Sequence, residues 1–523
     1  MVSAVLFITF FVLLVLNVPI SICLGLSSAA AILYSGTSLT IVATNIYSGI
    51  SKFLLLAIPF FVLSGNIMAK AGISTRLIRF VDTCVGHRKG GIANVCIIVA
   101  CFFGAISGSG PATVAALGAV LIPAMVERGG FSAPFSTALM ATASSIAIVI
   151  PPSIAFVVYA SITGVSIGDM FMAGIVPGIL MGLALIVVVM LEVRKNHVVP
   201  SNVQKASAKE RLDAFKDAFW GFLMPVIILG GIYGGIFTPT EAAAVSVVYG
   251  LFVGMVIYKE VKLKDLWDIL IDSAKTTGGI MLIVACASLF SFVCTRFGIS
   301  AAASQLLAKV AGNQFTFLLI CNVIFLIAGC FIDANSAMYI FIPIMLPVCK
   351  QLGYNVIAFG IMATVNLAIG QVTPPVGVNL FVAIGVKLKN GLQVTLQQIS
   401  RAVVPMVAAC IVVLLMITYI PGISTFLPAA LGSAAAVENG TTTGGDSGTT
   451  ATDNDDFNTI EDYSDLDWPE MTWNFTCSTT ETSTWAQAGR KFGELMEQAT
   501  GGKIKVEVYA ADQLTGGNQS EGI

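Results

Sequence analysis

The sequence predicts an all-α polytopic membrane protein with inverted repeats, two re-entrant helical hairpins and two broken helices. A short α/β fragment is expected at the C-terminus. Composition, recurring apolar stretches and a repeated proline pattern support this fold class. Of 523 residues, 56% are hydrophobic and only 11% are charged, against roughly 25% charged in soluble domains. Mean hydropathy is +0.89, so the expected environment of the chain is a lipid bilayer.

Apolar stretches close to the ~20 residues that cross a hydrocarbon core recur through the first four-fifths of the chain. The first covers residues 2–18 and has no positively charged leader. It therefore predicts a retained span rather than a cleaved signal peptide. Later examples lie at 53–68, 135–160, 170–190, 219–237, 242–257 and 403–420.

Several function classes are excluded by composition. The eleven cysteines are scattered without a CxxC pair, and the only histidines are His87 and His197, both in basic loops. A zinc site or a Ser/His/Asp triad is therefore not expected, and no enzymatic activity is predicted. Net charge is −2 and clusters of basic residues are confined to short loops, so a nucleic-acid partner is not expected.

Loop charge predicts the orientation of the chain, because cytoplasmic loops are enriched in Lys and Arg. Residues 402–489 carry no basic side chain, so the C-terminal tail is expected outside the cell membrane and the N-terminus in the cytoplasm. The basic connections assigned to the cytoplasm are 70–89, 194–216, 259–264 and 387–401. The neutral connections assigned to the outside are 35–49, 161–167 and 233–241.

This orientation requires two segments that enter and leave the membrane by the same face. Residues 91–127 contain two arms of about 16 residues, each roughly 24 Å long, which is short of the ~30 Å core. A helix-breaking run from Ser107 to Pro111 separates the arms. The same argument places a second hairpin at about 313–352, turning at 333–336 and entering from the opposite face.

An internal repeat supports the two hairpins. Pro123 precedes the pair Pro151 and Pro152 by 28 residues, and Pro347 precedes the pair Pro374 and Pro375 by 27. A hairpin followed by a broken helix thus occurs twice, in opposite orientation. Inverted repeats with interrupted helices at matching positions are a strong sequence indication of a transporter's binding site.

The four interruptions are the predicted site, because non-helical backbone at membrane depth must be buried in protein or line a polar cavity. Hydroxyl and carbonyl oxygens suit sodium, a hard cation. The first predicted sodium site consists of Ser107, Gly108, Ser109, Gly110, Ser144 and Ser145. The second consists of Asp333, Asn335, Ser336, Gly370 and Thr373.

Helix N-termini that leave the interruptions favour an anion such as a carboxylate. The predicted substrate-binding residues are Pro111, Thr113, Pro151, Pro152, Asn366, Pro374 and Pro375. Structural alternatives exist for these features: serines in membrane helices often serve close packing, Gly-rich runs form tight turns, and prolines form kinks. Asp333 could cap the returning helix arm, and Glu241 is typical of a helix start.

Five motifs resemble the large membrane subunit of the tripartite ATP-independent periplasmic (TRAP) transporter family. They occur in order as LAIPFF (56–61), ISGSGPAT (106–113), IPPS (150–153), FTPTEAAA (237–244) and NLAIGQVTPPVG (366–377). The resemblance covers residues 1–431. Ala147 departs from it, since glycine is expected in that interruption.

The resemblance implies an elevator-type, ion-transporter-like fold in the bacterial or archaeal inner membrane. A transport domain would carry a small carboxylate with sodium past a scaffold; a C4-dicarboxylate, a 2-oxo acid or a sugar acid is expected. No organic cofactor is implied. The implied partners are a small TRAP membrane subunit on a separate chain and an extracytoplasmic substrate-binding protein.

The tail changes in composition. Residues 432–470 are acidic and rich in Gly, Ser and Thr, which predicts a linker. Residues 471–523 predict a β-α-β fragment, and the runs RKFGEL (490–495) and TGGKIKV (500–506) resemble the start of a TRAP binding protein. Only its first 50 or so residues would be present, so a fused and truncated gene is expected and the tail should bind nothing alone.

A channel and an intramembrane enzyme are the rivals of an importer. A channel would use the interruptions as a filter, but filter motifs of the ring-forming kind are missing from the sequence. An intramembrane enzyme would need a second carboxylate near Asp333. An ion-coupled anion transporter that works without a binding protein also remains open, as does the identity of the carboxylate.

Overall fold

Eight helices in the part of the chain that the structure describes are long and apolar enough to cross a bilayer, which confirms the predicted helical membrane fold. The computed structural model describes residues 1–195, 205–386, 394–431, 471–477, 484–500 and 502–510. The predicted linker at 432–470 and part of the fourth basic connection lie outside these residues. Two units divide the chain, Met1–Thr441 and Thr442–Ile523.

Helices make up most of the first unit. Its first half contains α1 (Val2–Val15), α2 (Ile20–Tyr34), α3 (Thr40–Ile50), α4 (Ala57–Lys70), α5 (Ile73–Val85), α6 (Gly91–Ser107), α7 (Gly110–Glu127), α8 (Ala133–Ser145), α9 (Ile154–Thr163) and α10 (Ile167–Lys195). Its second half contains α11 (Ala208–Tyr233), α12 (Pro239–Phe252), α13 (Leu263–Arg296), α14 (Ile299–Ala311), α15 (Gln314–Phe331), α16 (Ala334–Gln351), α17 (Val356–Gly370), α18 (Val378–Ile384), α19 (Leu396–Tyr419) and α20 (Gly422–Ala430).

The apolar stretch predicted as a span over residues 2–18 contains helix α1, which ends at Val15. Helix α1 has 14 residues, about 21 Å at ~1.5 Å per residue, and packs against α2. It ends because Asn17 takes a positive φ of 60° and Pro19 cannot continue the hydrogen-bonded ladder. A second short helix, α2, then follows where the sequence analysis named no span.

Two further helices lie where the sequence analysis placed connections. Helix α3 lies within the neutral connection 35–49, and α5 lies within the basic connection 70–89. On α5, the apolar residues Ile73, Leu77 and Val81 are buried and recur at the i, i+4, i+8 spacing of one helix face. Arginines occupy other faces of α5. Because of these charges, the sequence analysis assigned the segment to a loop.

Helix pairs occupy both predicted hairpins. Only Gly108 and Ser109 separate α6 from α7, and only Ile332 and Asp333 separate α15 from α16. Gly108 closes the first turn with a positive φ of 59°, a conformation that favours glycine. That each pair enters and leaves by one membrane face stays a prediction.

Both predicted broken helices are interrupted at their proline pairs. Helix α8 ends at Ser145, a short 3-10 turn runs to Ile148, and α9 begins at Ile154. Helix α17 ends at Gly370 and α18 begins at Val378. Both proline pairs contain a cis peptide bond.

A glycine in each hairpin packs against the matching interruption. A Cβ on Gly104 of α6 would lie 2.7 Å from the Cα of Ala147, and a Cβ on Gly329 of α15 would lie 3.0 Å from the Cα of Gly370. Ala147 and Gly370 each stand four residues before a proline pair. The close approach at Ala147, where glycine was expected, is therefore made possible by Gly104 on the opposite helix.

The second unit is a small α/β fragment within its described residues. Strand β1 (Met471–Cys477) and strand β2 (Ile504–Ala510) pair in parallel, and helix α21 (Thr484–Ala499) lies between them in sequence. The register places Met471 opposite Ile504. These elements fall at the positions that the sequence pattern predicts.

Helix α12 begins with a capping box, as the Glu241 alternative suggested. Glu241 donates its backbone N–H to the Thr238 hydroxyl at 3.3 Å and accepts from the Thr238 backbone N–H at 2.8 Å. Such reciprocal bonds satisfy amide groups that have no partner within the helix.

Replacing Thr238 with alanine is expected to lower the free energy of unfolding by about 1 kcal/mol, the typical value of a lost N-cap. Thermal unfolding of the purified chain in detergent measures this effect. Thr238→Ser is the matched control, because serine keeps the capping hydroxyl. Equal melting of the alanine and serine variants would show that the cap does not stabilise α12.

Candidate functional site

Both hairpin turns and both helix interruptions contribute to the wall of one cavity of about 70 Å³. This volume holds roughly five water molecules. Ile280 of the long helix α13 completes the wall. The other lining residues are Gly108, Ser109, Gly110 and Pro111 of the first hairpin, Ile148, Ile154 and Ala155 of the first broken helix, Ala334 and Asn335 of the second hairpin, and Gln371 of the second broken helix.

Side-chain hydrogen bonds hold the first hairpin turn in shape. The hydroxyls of Ser107 and Thr113 lie 2.8 Å apart, and Thr113 donates to the Ser109 carbonyl at 2.8 Å. The turn also lies close to the first interruption, since a Cβ on Gly108 would be 2.8 Å from the Pro152 carbonyl oxygen. Ser107 and Thr113 thus shape the turn, and neither belongs to the cavity wall.

Ser144 and Ser145 are fully buried at the end of α8. Ser144 donates to the Ala141 carbonyl at 2.6 Å and Ser145 to the Thr142 carbonyl at 2.8 Å, both within their own helix. Asn379 of α18 donates to the Ser144 hydroxyl at 3.2 Å. The structure therefore links Ser144 directly to the second repeat.

Asp333 caps α16 at the second hairpin turn. Its Oδ2 accepts from the backbone N–H of Asn335 at 3.0 Å and of Ser336 at 3.2 Å, and its Oδ1 accepts from the Ser336 hydroxyl at 2.5 Å. A carboxylate has about four acceptor positions, so these bonds leave capacity for a cation. The capping alternative raised from the sequence is the arrangement that the structure contains.

Two residues of the second predicted sodium site lie in helical surroundings. Gly370 is the last residue of α17 and packs against Gly329. The Thr373 hydroxyl donates to the Ile369 carbonyl at 2.8 Å. Neither residue is part of the cavity wall, and their role as cation ligands stays a prediction.

Most of the predicted substrate-binding residues lie outside the cavity wall. Asn366 is fully buried, and its side chain donates at 2.6 Å to Asn322, which donates in turn to Thr418 at 3.3 Å. This network ties α17 to α15 and α19. Of the predicted substrate-binding residues, Pro111 lines the cavity wall. The others are not among the lining residues: Thr113, Pro151, Pro152, Pro374 and Pro375.

Sequence analysis missed two buried amides, Gln371 and Asn379, which are 6% and 0% exposed. A Cβ on Gly110 would lie 3.0 Å from Gln371 Oε1 and 2.8 Å from Asn379 Nδ2. Both oxygens, Oε1 of Gln371 and Oδ1 of Asn379, lack a hydrogen-bond donor among the described residues. Polar side chains within an apolar segment are a functional signal that could have identified them.

Helix N-termini at the cavity differ in how they are capped. The side chain of Asp333 caps α16 and that of Ser153 caps α9. No described side chain caps α7, whose first residues are Gly110 and Pro111. The N–H groups in the first turn of a helix have no carbonyl partner within it, so this end of the cavity attracts an anion.

Lys52 and three hydroxyl groups hold the C-terminal part of α9 in place. Lys52 donates to the Ser161 carbonyl at 2.7 Å, and burial lowers the pKa of its ammonium group. The Ser161 hydroxyl lies 3.0 Å from that of Tyr339 on α16, and Tyr159 donates to the Val356 carbonyl at 2.6 Å. These bonds join the first broken helix to the second repeat at a point away from the cavity.

Gly110→Ala is expected to abolish most transport while leaving the fold intact, because a methyl group would push Gln371 and Asn379 away from the first hairpin turn. Uptake by reconstituted liposomes and thermal unfolding measure the two effects. Gly230→Ala is the matched control, since a Cβ at this position of α11 meets nothing within 4 Å. Uptake by Gly110→Ala at the level of Gly230→Ala would contradict the proposed contact.

Comparison with known proteins identifies the family. A profile described as "Tripartite ATP-independent periplasmic transporter, DctM component" matches residues 7–423. The isethionate TRAP transporter permease protein DctMQ of Oleidesulfovibrio alaskensis is 42% identical, over 81% of this chain and 66% of its own length. The C4-dicarboxylate TRAP transporter large permease protein DctM of Pseudomonas aeruginosa is also 42% identical, over 78% of this chain and 94% of its own length.

Similarity extends to a more distant permease and to a solved structure. The sialic acid TRAP transporter large permease protein SiaM of Vibrio cholerae is 34% identical, over 76% of this chain and 92% of its own length. The crystal structure of the Alcanivorax borkumensis YdaH transporter aligns with a TM-score of 0.54 at 14% identity, over 73% of this chain and 88% of that one, which supports the fold alone. The chain belongs to the DctM family of TRAP transporter large permeases.

Proposed function

We propose that this permease imports a small carboxylate across the inner membrane, coupled to sodium and by an elevator mechanism. The observation that carries the proposal is the cavity built from both hairpins and both broken helices. It combines an uncapped helix N-terminus at Gly110, which suits a carboxylate, with neutral amides and carbonyl oxygens. C4-dicarboxylate and sialic acid permeases among the relatives support an organic acid as cargo.

Sodium coupling is supported by the kind of oxygen atoms at the two hairpin turns. Asp333 provides a carboxylate, and the Oδ1 atom of Asn335 lacks a donor within the described parts of the chain. At the first turn, the carbonyl oxygens of residues 107–110 and the hydroxyls of Ser144 and Ser145 are the candidate ligands. All are hard oxygen ligands of the type that a small alkali cation accepts.

An elevator movement is supported by the division of the cavity wall. Every lining residue except Ile280 comes from the hairpins and broken helices. These elements also hold one another, through Asn379 and Ser144 and through Tyr159 and Val356. They could move together as a transport domain. Helix α13, which contacts α2, α3 and α4 as well as α16 of the second hairpin, would belong to the scaffold.

Two protein partners complete the proposal. The name DctMQ of the longer relative is consistent with a small TRAP membrane subunit that works with the large one. An extracytoplasmic substrate-binding protein would deliver the carboxylate to the face of the neutral connections. In this orientation the N-terminus is cytoplasmic and the C-terminal tail extracytoplasmic.

Uptake by liposomes tests the function. With a small subunit and a full binding protein present, an inward sodium gradient should drive saturable accumulation of a carboxylate, and an equal potassium or choline gradient should not. Accumulation without the binding protein would favour an independent anion transporter. A sodium-independent, non-saturating flux with single-channel currents would favour a channel and overturn the proposal.

Asp333→Asn is expected to raise the half-saturating sodium concentration for uptake by about tenfold, or about 1.4 kcal/mol. Asparagine keeps the capping oxygen of α16 but removes the negative charge that would bind the cation. Asp272→Asn is the charge-matched control, because Asp272 lies on the exposed side of α13. An unchanged sodium dependence in Asp333→Asn would restrict Asp333 to its capping role.

A further inference from the structure

We propose that the cavity selects a small monocarboxylate that carries a hydroxyl group, and discriminates against dicarboxylates. This inference rests on the proposed function and names the class of its substrate. It depends on a difference between the two ends of the cavity, which come from the two hairpin turns. One end favours a negative charge, and the other favours a neutral group that donates a hydrogen bond.

The first hairpin forms the anion-binding end. Ser109 precedes α7 without capping it, and Pro111 lacks an N–H group, so the N–H groups of Gly110 and Ala112 are the donors of this first turn. A single carboxylate can accept bonds from these groups, where the partial positive charge of the helix favours it. The Oε1 atom of Gln371 lies 3.0 Å from the Cβ position of Gly110, so an acceptor for a hydroxyl group stands next to this helix terminus.

The second hairpin forms the neutral end. Asp333 already neutralises the N-terminus of α16 by accepting from the backbone N–H groups of Asn335 and Ser336. A second carboxylate of the substrate would find those N–H groups occupied and would not gain the stabilisation that a free helix N-terminus gives an anion.

Two unpaired amide oxygens determine which neutral group fits. Asn335 and Gln371 both line the cavity, and Oδ1 of Asn335 and Oε1 of Gln371 have no donor among the described residues. A buried acceptor without a donor costs about 1–3 kcal/mol. A hydroxyl group can donate to such an oxygen, whereas an ionised carboxylate and a methyl group cannot.

Small acids are suitable probes of a cavity of about 70 Å³. Lactate and glycerate carry one carboxylate with at least one hydroxyl. Propionate lacks the hydroxyl, and malonate replaces it with a second carboxylate, so these acids form a matched series.

Thermal stabilisation of the chain bound to its small subunit, in sodium buffer without the binding protein, measures this preference directly. Lactate or glycerate should stabilise the wild-type complex at about tenfold lower concentration than propionate, the effect of one net hydrogen bond. Malonate should be the weakest ligand. In Gln371→Leu, lactate and propionate should stabilise equally, and Gln371→Met, which keeps the length of the side chain, should show the same loss if Gln371→Leu does not fold.

The exposed Gln314 at the start of α15 supplies the control, and Gln314→Leu should keep the tenfold preference. Equal or better stabilisation by malonate, or no stabilisation by any of the four acids, would overturn the inference. The proposed function would survive that result if sodium still drives uptake of some other acid in the liposome assay. Loss of sodium-driven uptake for every acid tested would instead refute the proposed function.

Discussion

The peptide groups of an interrupted helix inside a membrane need hydrogen-bond partners, and the rest of this structure depends on that constraint. Peptide groups that leave a helix at membrane depth cannot face lipid, because each unpaired group costs several kcal/mol there. The chain places its four interruptions against one another and around a single polar cavity. Glycines at Gly104 and Gly329 allow this contact, since larger side chains would hold the hairpins away from the interruptions.

Similar repeats produce a cavity with unlike ends. The two hairpin turns differ at the residue that precedes the returning helix, which is Ser109 in the first repeat and Asp333 in the second. Ser109 leaves its helix N-terminus free for a ligand, and Asp333 occupies its own. Asn379 then ties the second broken helix to the first through Ser144.

Sequence patterns predicted the helical fold, and the structure has a helix end at each of the four places where an interruption was expected. Proline pairs and glycine-rich turns mark those places locally, which is why they can be read from sequence. The short helices α2, α3 and α5 were missed, and α1 ends before the limit of its predicted span, because apolar length alone does not reveal where Asn17 ends a helix or that a charged segment is amphipathic. The membrane face by which each hairpin enters, the sodium sites and the division into transport domain and scaffold stay predictions.

Side-chain roles were harder to predict than positions. Gln371 and Asn379 reach Gly110 from a distant part of the sequence, a contact that no local pattern encodes. Asn366 was expected at the substrate, but its bond to Asn322 ties it into the helix packing. Ser144 and Ser145 donate to their own helix, as hydroxyls in apolar helices commonly do.

A cryo-electron microscopy map of the chain with its small subunit, in lipid nanodiscs with sodium and a transported acid, tests the central claim most directly. The account predicts acid density between residues 108–111 and 334–335, with the carboxylate against the first turn of α7 and the rest of the molecule beside Gln371. Acid density elsewhere in the protein, with this cavity empty or closed, would contradict it.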